Sequence, residues 1–175
     1  MKVALFIDAA NMFHAQKAKH AGFHFDYTKL KNYLLGDDER YMATYYVGER
    51  VPPQAKDQKF LYALRHHGFK IHKKALRSYL DQETGEEVEK ANLDIEIAVD
   101  MLVQSEKYDK VYLCSGDGDF TRAVQFLIDR GKTVMVVSTW NMLNSDLYDA
   151  SSGFIELKDI RKKIEKKRSK GSLLS

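Results

Sequence analysis

At 175 residues with 44% hydrophobic content, the chain holds enough apolar material for one substantial core, and no shift in composition marks a second domain. Its apolar runs fall well short of the roughly 20 residues that span a bilayer, no secretory leader pattern precedes Asp8, and the single cysteine, Cys114, excludes an internal disulfide and a cysteine zinc cluster. The net charge of +3 conceals an asymmetry, because residues 158–170 carry eight Lys/Arg against two Asp/Glu, a local +6 that leaves −3 elsewhere.

These limits predict a soluble, cytoplasmic, non-membrane protein: one domain over residues 1–157, then a basic helix and tail over 158–175. The tail either attracts a polyanion by releasing counterions or is simply a solvated terminal helix.

In chain order, Val3 to Ile7 is too short and too continuously apolar for an amphipathic helix, which predicts a strand covered on both faces. After a short segment around Asn11 to Ala21, Asp26 reads as an N-cap for a helix over Tyr27 to Leu35, stopped by Gly36. Met42 to Val47 has the Thr, Tyr and Val content of a strand. Pro52-Pro53 can start but not continue a helix that runs to His67 and ends at Gly68. Phe69 to Ile71 begins a third strand, and the polar stretch Ser78 to Glu87, with Gly85, predicts an exposed loop or hairpin. From Leu93 the apolar spacing predicts a helix to about Glu106. Val111 to Cys114 forms a fourth strand that ends in a buried cysteine, Asp119 to Arg130 a helix closed by Gly131, and Val134 to Val137 a fifth strand. Phe154 to Leu157 is a sixth strand, and Leu157 to Arg168 resembles a terminal amphipathic helix. The alternation predicts an α/β domain whose mainly parallel sheet lies between helical layers. In such sheets ligands sit beyond the carboxyl ends of the strands, where strand order reverses, so adjacent first and fourth strands would bring Asp8 and Asp117 together.

Three acidic islands carry the chemistry. Asp8 closes the first strand, where it can serve a metal or merely cap the next segment, and Asn11 can orient it, contact substrate or stabilise the turn. Ser115-Gly116-Asp117-Gly118-Asp119-Phe120 sets two carboxylates in a turn whose glycines permit a tight strand-to-helix connection, and capping accounts for one acid more readily than for both. Asp94 and Asp100 are six positions apart, about 240° around a helix, so Asp94 is assigned to the crevice and Asp100 to an internal polar contact. Glu96 reads as solvent-facing. His72, Lys73, Lys74 and Arg77 read either as a basic rim or as a solvated strand edge, and Lys90 is placed to contact phosphate. The six histidines form no zinc pattern. Oxygen-rich carboxylate sites suit Mg²⁺ or Mn²⁺.

The segments Ile7-Asp8-Ala9-Ala10-Asn11, Lys90-Ala91-Asn92-Leu93-Asp94 with Asp100, and Ser115-Gly116-Asp117-Gly118-Asp119-Phe120 resemble, in that order, the NYN family of PIN-like nucleases, in its bacterial LabA-like branch. The resemblance spans roughly residues 1–157. It implies a PIN-like three-layer α/β/α fold, a metal-dependent ribonuclease site and RNA as substrate. By motif position, Asp8, Asp94, Asp117 and Asp119 are the catalytic and metal-binding acids, with Asn11, Ser115 and Lys90 at the substrate. Two departures stand out. Many relatives have Gly at the position of Ala9, and Lys-Gly-Val-Asp where this chain has the longer Lys90 to Asp94. The reading expected is an endonucleolytic Mg²⁺- or Mn²⁺-dependent ribonuclease. The rivals are a non-catalytic RNA-binding or protein-interaction module and a nucleotide phosphatase. A homodimer or protein partner is left open.

Overall fold

The computed structural model describes residues 1–167. Its chain order is β1 (Lys2–Asp8), α1 (Ala9–Ala15), α2 (Tyr27–Leu35), β2 (Glu39–Glu49), α3 (Ala55–His66), β3 (Lys70–Ala75), β4 (Arg77–Leu80), β5 (Glu87–Lys90), α4 (Asp94–Val103), β6 (Lys110–Cys114), α5 (Thr121–Asp129), β7 (Thr133–Ser138), α6 (Ser145–Ala150), β8 (Gly153–Glu156) and α7 (Arg161–Ile164). Six strands form one sheet in the order β3-β2-β1-β6-β7-β8, and every neighbouring pair in it is parallel. β4 and β5 form a separate antiparallel hairpin.

The continuous apolar run of β1 is explained by its place at the centre of this sheet. Val3, Leu5 and Ile7 face a layer containing Met12, Leu30, Leu34, Leu61 and Leu64 from α1, α2 and α3. Ala4 and Phe6 face Ile97, Met101, Val124, Leu127 and Leu147 from α4, α5 and α6. All five residues are fully buried, so the strand has no solvent face and shows no period-two alternation. This is the expected three-layer α/β/α fold with a parallel sheet, and all six expected strands are present. No helix among the described residues is long and apolar enough to cross a membrane.

Several boundaries differ from the sequence reading. The second strand extends from Glu39 to Glu49, because its first residues pair with β1 and its last, Val47 to Glu49, pair with β3. The third begins after the buried Phe69 and continues through His72, Lys73 and Lys74. It forms a sheet edge, where lysines discourage pairing with another chain. The helix expected from Pro52-Pro53 starts at Ala55, behind Gln54. Asp26 caps α2 as expected, accepting from the N–H groups of Thr28 at 3.1 Å and Lys29 at 3.0 Å, a bond worth about 1 kcal/mol. The region Ser78 to Glu87 is the hairpin β4–β5.

The largest correction concerns the terminal helix expected over Leu157 to Arg168. The helix is a single turn, Arg161–Ile164, and Glu165 turns to extended backbone and bridges Phe25. Competing interactions with the domain stop the helix: the Asp26 N–H donates to the Ile164 carbonyl at 2.8 Å, the Lys166 N–H to the His24 carbonyl at 2.9 Å, and Lys29 Nζ to the Glu165 carbonyl at 3.0 Å. Ile160 and Ile164 are buried in the same core layer as Phe23, Phe25 and Leu157. Arg168 and the rest of the expected tail, to residue 175, lie outside the described residues.

Candidate metal centre

The chain runs β1-β2-β3 to one side of the sheet and β6-β7-β8 to the other, so strand order reverses between β1 and β6. Their carboxyl ends carry Asp8 and the Ser115–Asp119 turn, and this is where a crevice forms in an open parallel sheet.

Asp8 is the N-cap of α1. Its Oδ1 accepts from the Asn11 N–H at 3.1 Å and its Oδ2 from the Ser115 hydroxyl at 3.0 Å. The Asn11 side-chain oxygen in turn accepts from the Gly116 N–H at 3.2 Å, tying α1 to the turn after β6. Ser115, expected at the substrate, is fully buried, and its hydroxyl oxygen also accepts from the Asp117 N–H at 3.3 Å. Asp117 Oδ1 accepts from the Asp119 N–H at 3.0 Å, capping the short turn Gly118–Phe120 that leads into α5.

Across the crevice, Asp94 opens α4. Its N–H donates to the side-chain oxygen of Asn92 at 2.9 Å. The Asn92 carbonyl is held at 2.7 Å by Lys74 Nζ, which also pairs with Glu96 at 2.6 Å. Glu96 is therefore ion-paired and half-buried rather than simply solvent-facing. Lys73 pairs with Glu49, so two lysines of the expected basic rim are engaged in ion pairs. Asp100 takes a 2.7 Å hydrogen bond from the Tyr46 hydroxyl, the internal contact expected for it. Lys90 is exposed at the end of β5, on the border of the cleft.

Asp94, Asp117 and Asp119 each offer a carboxylate oxygen, and these oxygens lie within 4.8 Å of one another. Asp8 is outside that trio and 8% exposed, close enough for its charge to act on Asp94. None of the ion pairs among the described residues involves any of the four acids. The electrostatic cost is visible at Asp94, whose carboxyl is pushed up to about 6 by burial first and then by the charges of Asp8 and Asp117, against a lowering side-chain hydrogen bond to Asn92. Burial also raises Asp8, partly offset by its bonds from Asn11 and Ser115. An all-oxygen set without His or Cys suits a hard divalent ion such as Mg²⁺ or Mn²⁺ rather than Zn²⁺.

The raised Asp94 carboxyl yields a sign-specific expectation. The folded state binds this proton more tightly than the unfolded chain does, so the stability it contributes is complete below about pH 3.8 and lost as pH rises through about 6. In EDTA, urea denaturation should show that Asp94→Asn gains on wild type between pH 4.5 and 7.5. Parallel pH profiles for the two proteins would disprove it.

A family model, the NYN domain, matches residues 2–158. The chain belongs to the NYN domain family. This NYN domain is 39% identical over 169 residues to "Low amplitude and bright protein LabA" of Synechococcus elongatus, covering 94% of this chain and 88% of that protein. The LabA-like resemblance is thereby borne out. A crystal structure of a protein of unknown function from Vibrio parahaemolyticus superposes with a TM-score of 0.75 at 26% identity, covering 90% of this chain and 93% of the other.

Two residues that hold the centre escaped the sequence reading. Asn92 fixes the start of α4. Asn144 caps α6 through the N–H groups of Asp146 and Leu147, while its own N–H donates to the Gly116 carbonyl at 2.9 Å. Their signal was an Asn just before a helix, in Asn92-Leu93-Asp94 and Asn144-Ser145-Asp146.

Proposed function

We propose that this NYN domain is a Mg²⁺- or Mn²⁺-dependent ribonuclease that hydrolyses internal phosphodiester bonds of RNA in a cytoplasmic setting. The observation that carries this reading is the convergence of Asp94, Asp117 and Asp119, with no cationic side chain paired to them among the described residues, at the switch point of the parallel sheet. A divalent ion held there would supply an activated nucleophile and neutralise charge developing on the phosphate.

In this proposal Asp94, Asp117 and Asp119 are the direct ligands. Asp8 completes the anionic centre, acting on Asp94 and Asp117 through its charge and reaching the ion directly or through water. Ser115 and Asn11 are positioning residues, one holding Asp8 and the other the Gly116 backbone. Asn92 and Lys74 fix the approach of Asp94. Lys90, exposed on the border of the cleft, meets the phosphates of the incoming strand.

The test is incubation of the purified protein with internally labelled RNA and with mononucleotides across Mg²⁺ and Mn²⁺ titrations, with an EDTA control. Internal cleavage that requires the metal is expected. RNA binding without products would replace the reading with a non-catalytic RNA-binding module, and release of phosphate from mononucleotides alone would replace it with a phosphatase.

A further inference from the structure

Three of the acids, Asp8, Asp94 and Asp117, line a cleft of about 740 Å³ whose walls also include Phe13, Phe60, Leu61 and Leu76. That volume lies within the about 300–1,000 Å³ span of ligand clefts. Its lining therefore joins two chemistries, the carboxylates and a set of apolar and aromatic side chains. Phe13 is 62% exposed and Phe60 is 40% exposed, so both rings of the lining are open to a partner.

Both rings are set by local structure. Phe13 lies on α1, the helix that Asp8 itself caps, five residues and about 7 Å of helix axis beyond that acid. Phe60 lies on α3 and packs edge-on against two tyrosines, with ring centroids 5.9 Å from Tyr45 and 6.2 Å from Tyr27. Asp57 lines the same cleft. A carboxylate there repels phosphate but can accept from the ring N–H or amino group of a base, so the occupant favoured beside it is neutral, flat and able to donate.

We infer that the aromatic part of the cleft's lining is a base-binding subsite, in which Phe13 and Phe60 seat one unpaired nucleobase of the strand whose phosphate lies at Asp94, Asp117 and Asp119. The inference rests on the ribonuclease reading for the identity of the strand. Stacking on an aromatic ring tolerates any base, because every base presents a π-face. The subsite therefore holds the strand near the metal centre without reading sequence, and it rejects a base still paired in a duplex.

The experiment uses an oligoribonucleotide carrying 2-aminopurine at one position, titrated in Mn²⁺ with Asp117→Asn protein so that cleavage does not intervene. Binding should quench the 2-aminopurine emission. Adding Phe13→Ala or Phe60→Leu should weaken binding on the order of tenfold and reduce the quench, while Phe13→Trp should preserve both. Phe13 is exposed and Phe60→Leu retains an apolar side chain, so the two variants test the subsite without relying on one fold-sensitive change. Wild-type affinity and quench in both variants would overturn the subsite, as would unchanged affinity for an oligonucleotide with an abasic residue at that position. If unmodified protein cleaves no RNA yet the quench depends on Phe13 and Phe60, the ribonuclease reading fails and the subsite stands. Cleavage whose KM is indifferent to both phenylalanines leaves that reading intact and removes the subsite.

Discussion

Asp117→Asn is expected to lower metal-dependent RNA cleavage on the order of 10³-fold while the protein stays folded. Losing one charged ligand removes several kcal/mol of charge stabilisation from the centre, and each 1.36 kcal/mol corresponds to a factor of ten in rate. The Asn side chain keeps an oxygen that can accept from the Asp119 N–H, so the turn into α5 retains its cap. Asp94→Asn should behave alike. Ser115→Ala should cost less, about 10- to 100-fold, because it removes a support of Asp8 rather than a ligand. Single-turnover cleavage of labelled RNA, with circular dichroism confirming the fold, measures all three. Wild-type rates in folded Asp117→Asn would remove Asp117 from the centre, and equal losses in Ser115→Ala and Asp117→Asn would erase the distinction drawn between ligand and support.

Gly116→Ala is expected to destabilise the protein by about 2–3 kcal/mol and to weaken metal binding at the same time. A Cβ on Gly116 would run into the backbone carbonyl of Met142 and would lie 2.8 Å from Ser138 Oγ. The Met142 contact is backbone, so it cannot be relieved by rotating a side chain. Gly116 is also held from both sides, its N–H by Asn11 and its carbonyl by Asn144, so any shift is passed to α1 and to the start of α6. Gly118→Ala meets the Asn144 side chain instead and should cost about 1 kcal/mol, the worth of a displaced cap. Urea denaturation with and without Mn²⁺ checks the pair. If Gly116→Ala proves as stable as wild type, the crowding at Gly116 does not constrain the turn.

The sequence made legible those features whose physical cause is local. The unbroken run Val3 to Ile7 announced a strand without a solvent face, and Asp26 announced its cap. The glycine-spaced acids after Cys114 announced a strand-to-helix turn. Alternation of strands and helices then placed Asp8 and Asp117 at one crevice. What stayed hidden depends on partners distant in the chain. The burial of Ser115, which makes it a support, follows from packing that its neighbours in sequence do not reveal. The terminal helix was overcalled because its amphipathic pattern carries no trace of the competing pairing between Glu165 and Phe25. The role of Asn144 appears only once α6 is folded against the Gly116 turn.

The reversal of strand order at β1 and β6 divides the molecule in a way that bears on its assembly. The sheet consists of two three-stranded halves, β3-β2-β1 and β6-β7-β8, joined within the sheet at one seam, and the chain passes from one half to the other through the exposed hairpin whose turn includes Gly85. A protease cut in that turn would yield two fragments, one bearing Asp8 and the other bearing Asp94, Asp117 and Asp119. The four acids are thus drawn from both halves, and the pairing of β1 with β6 is what brings Asp8 to the others.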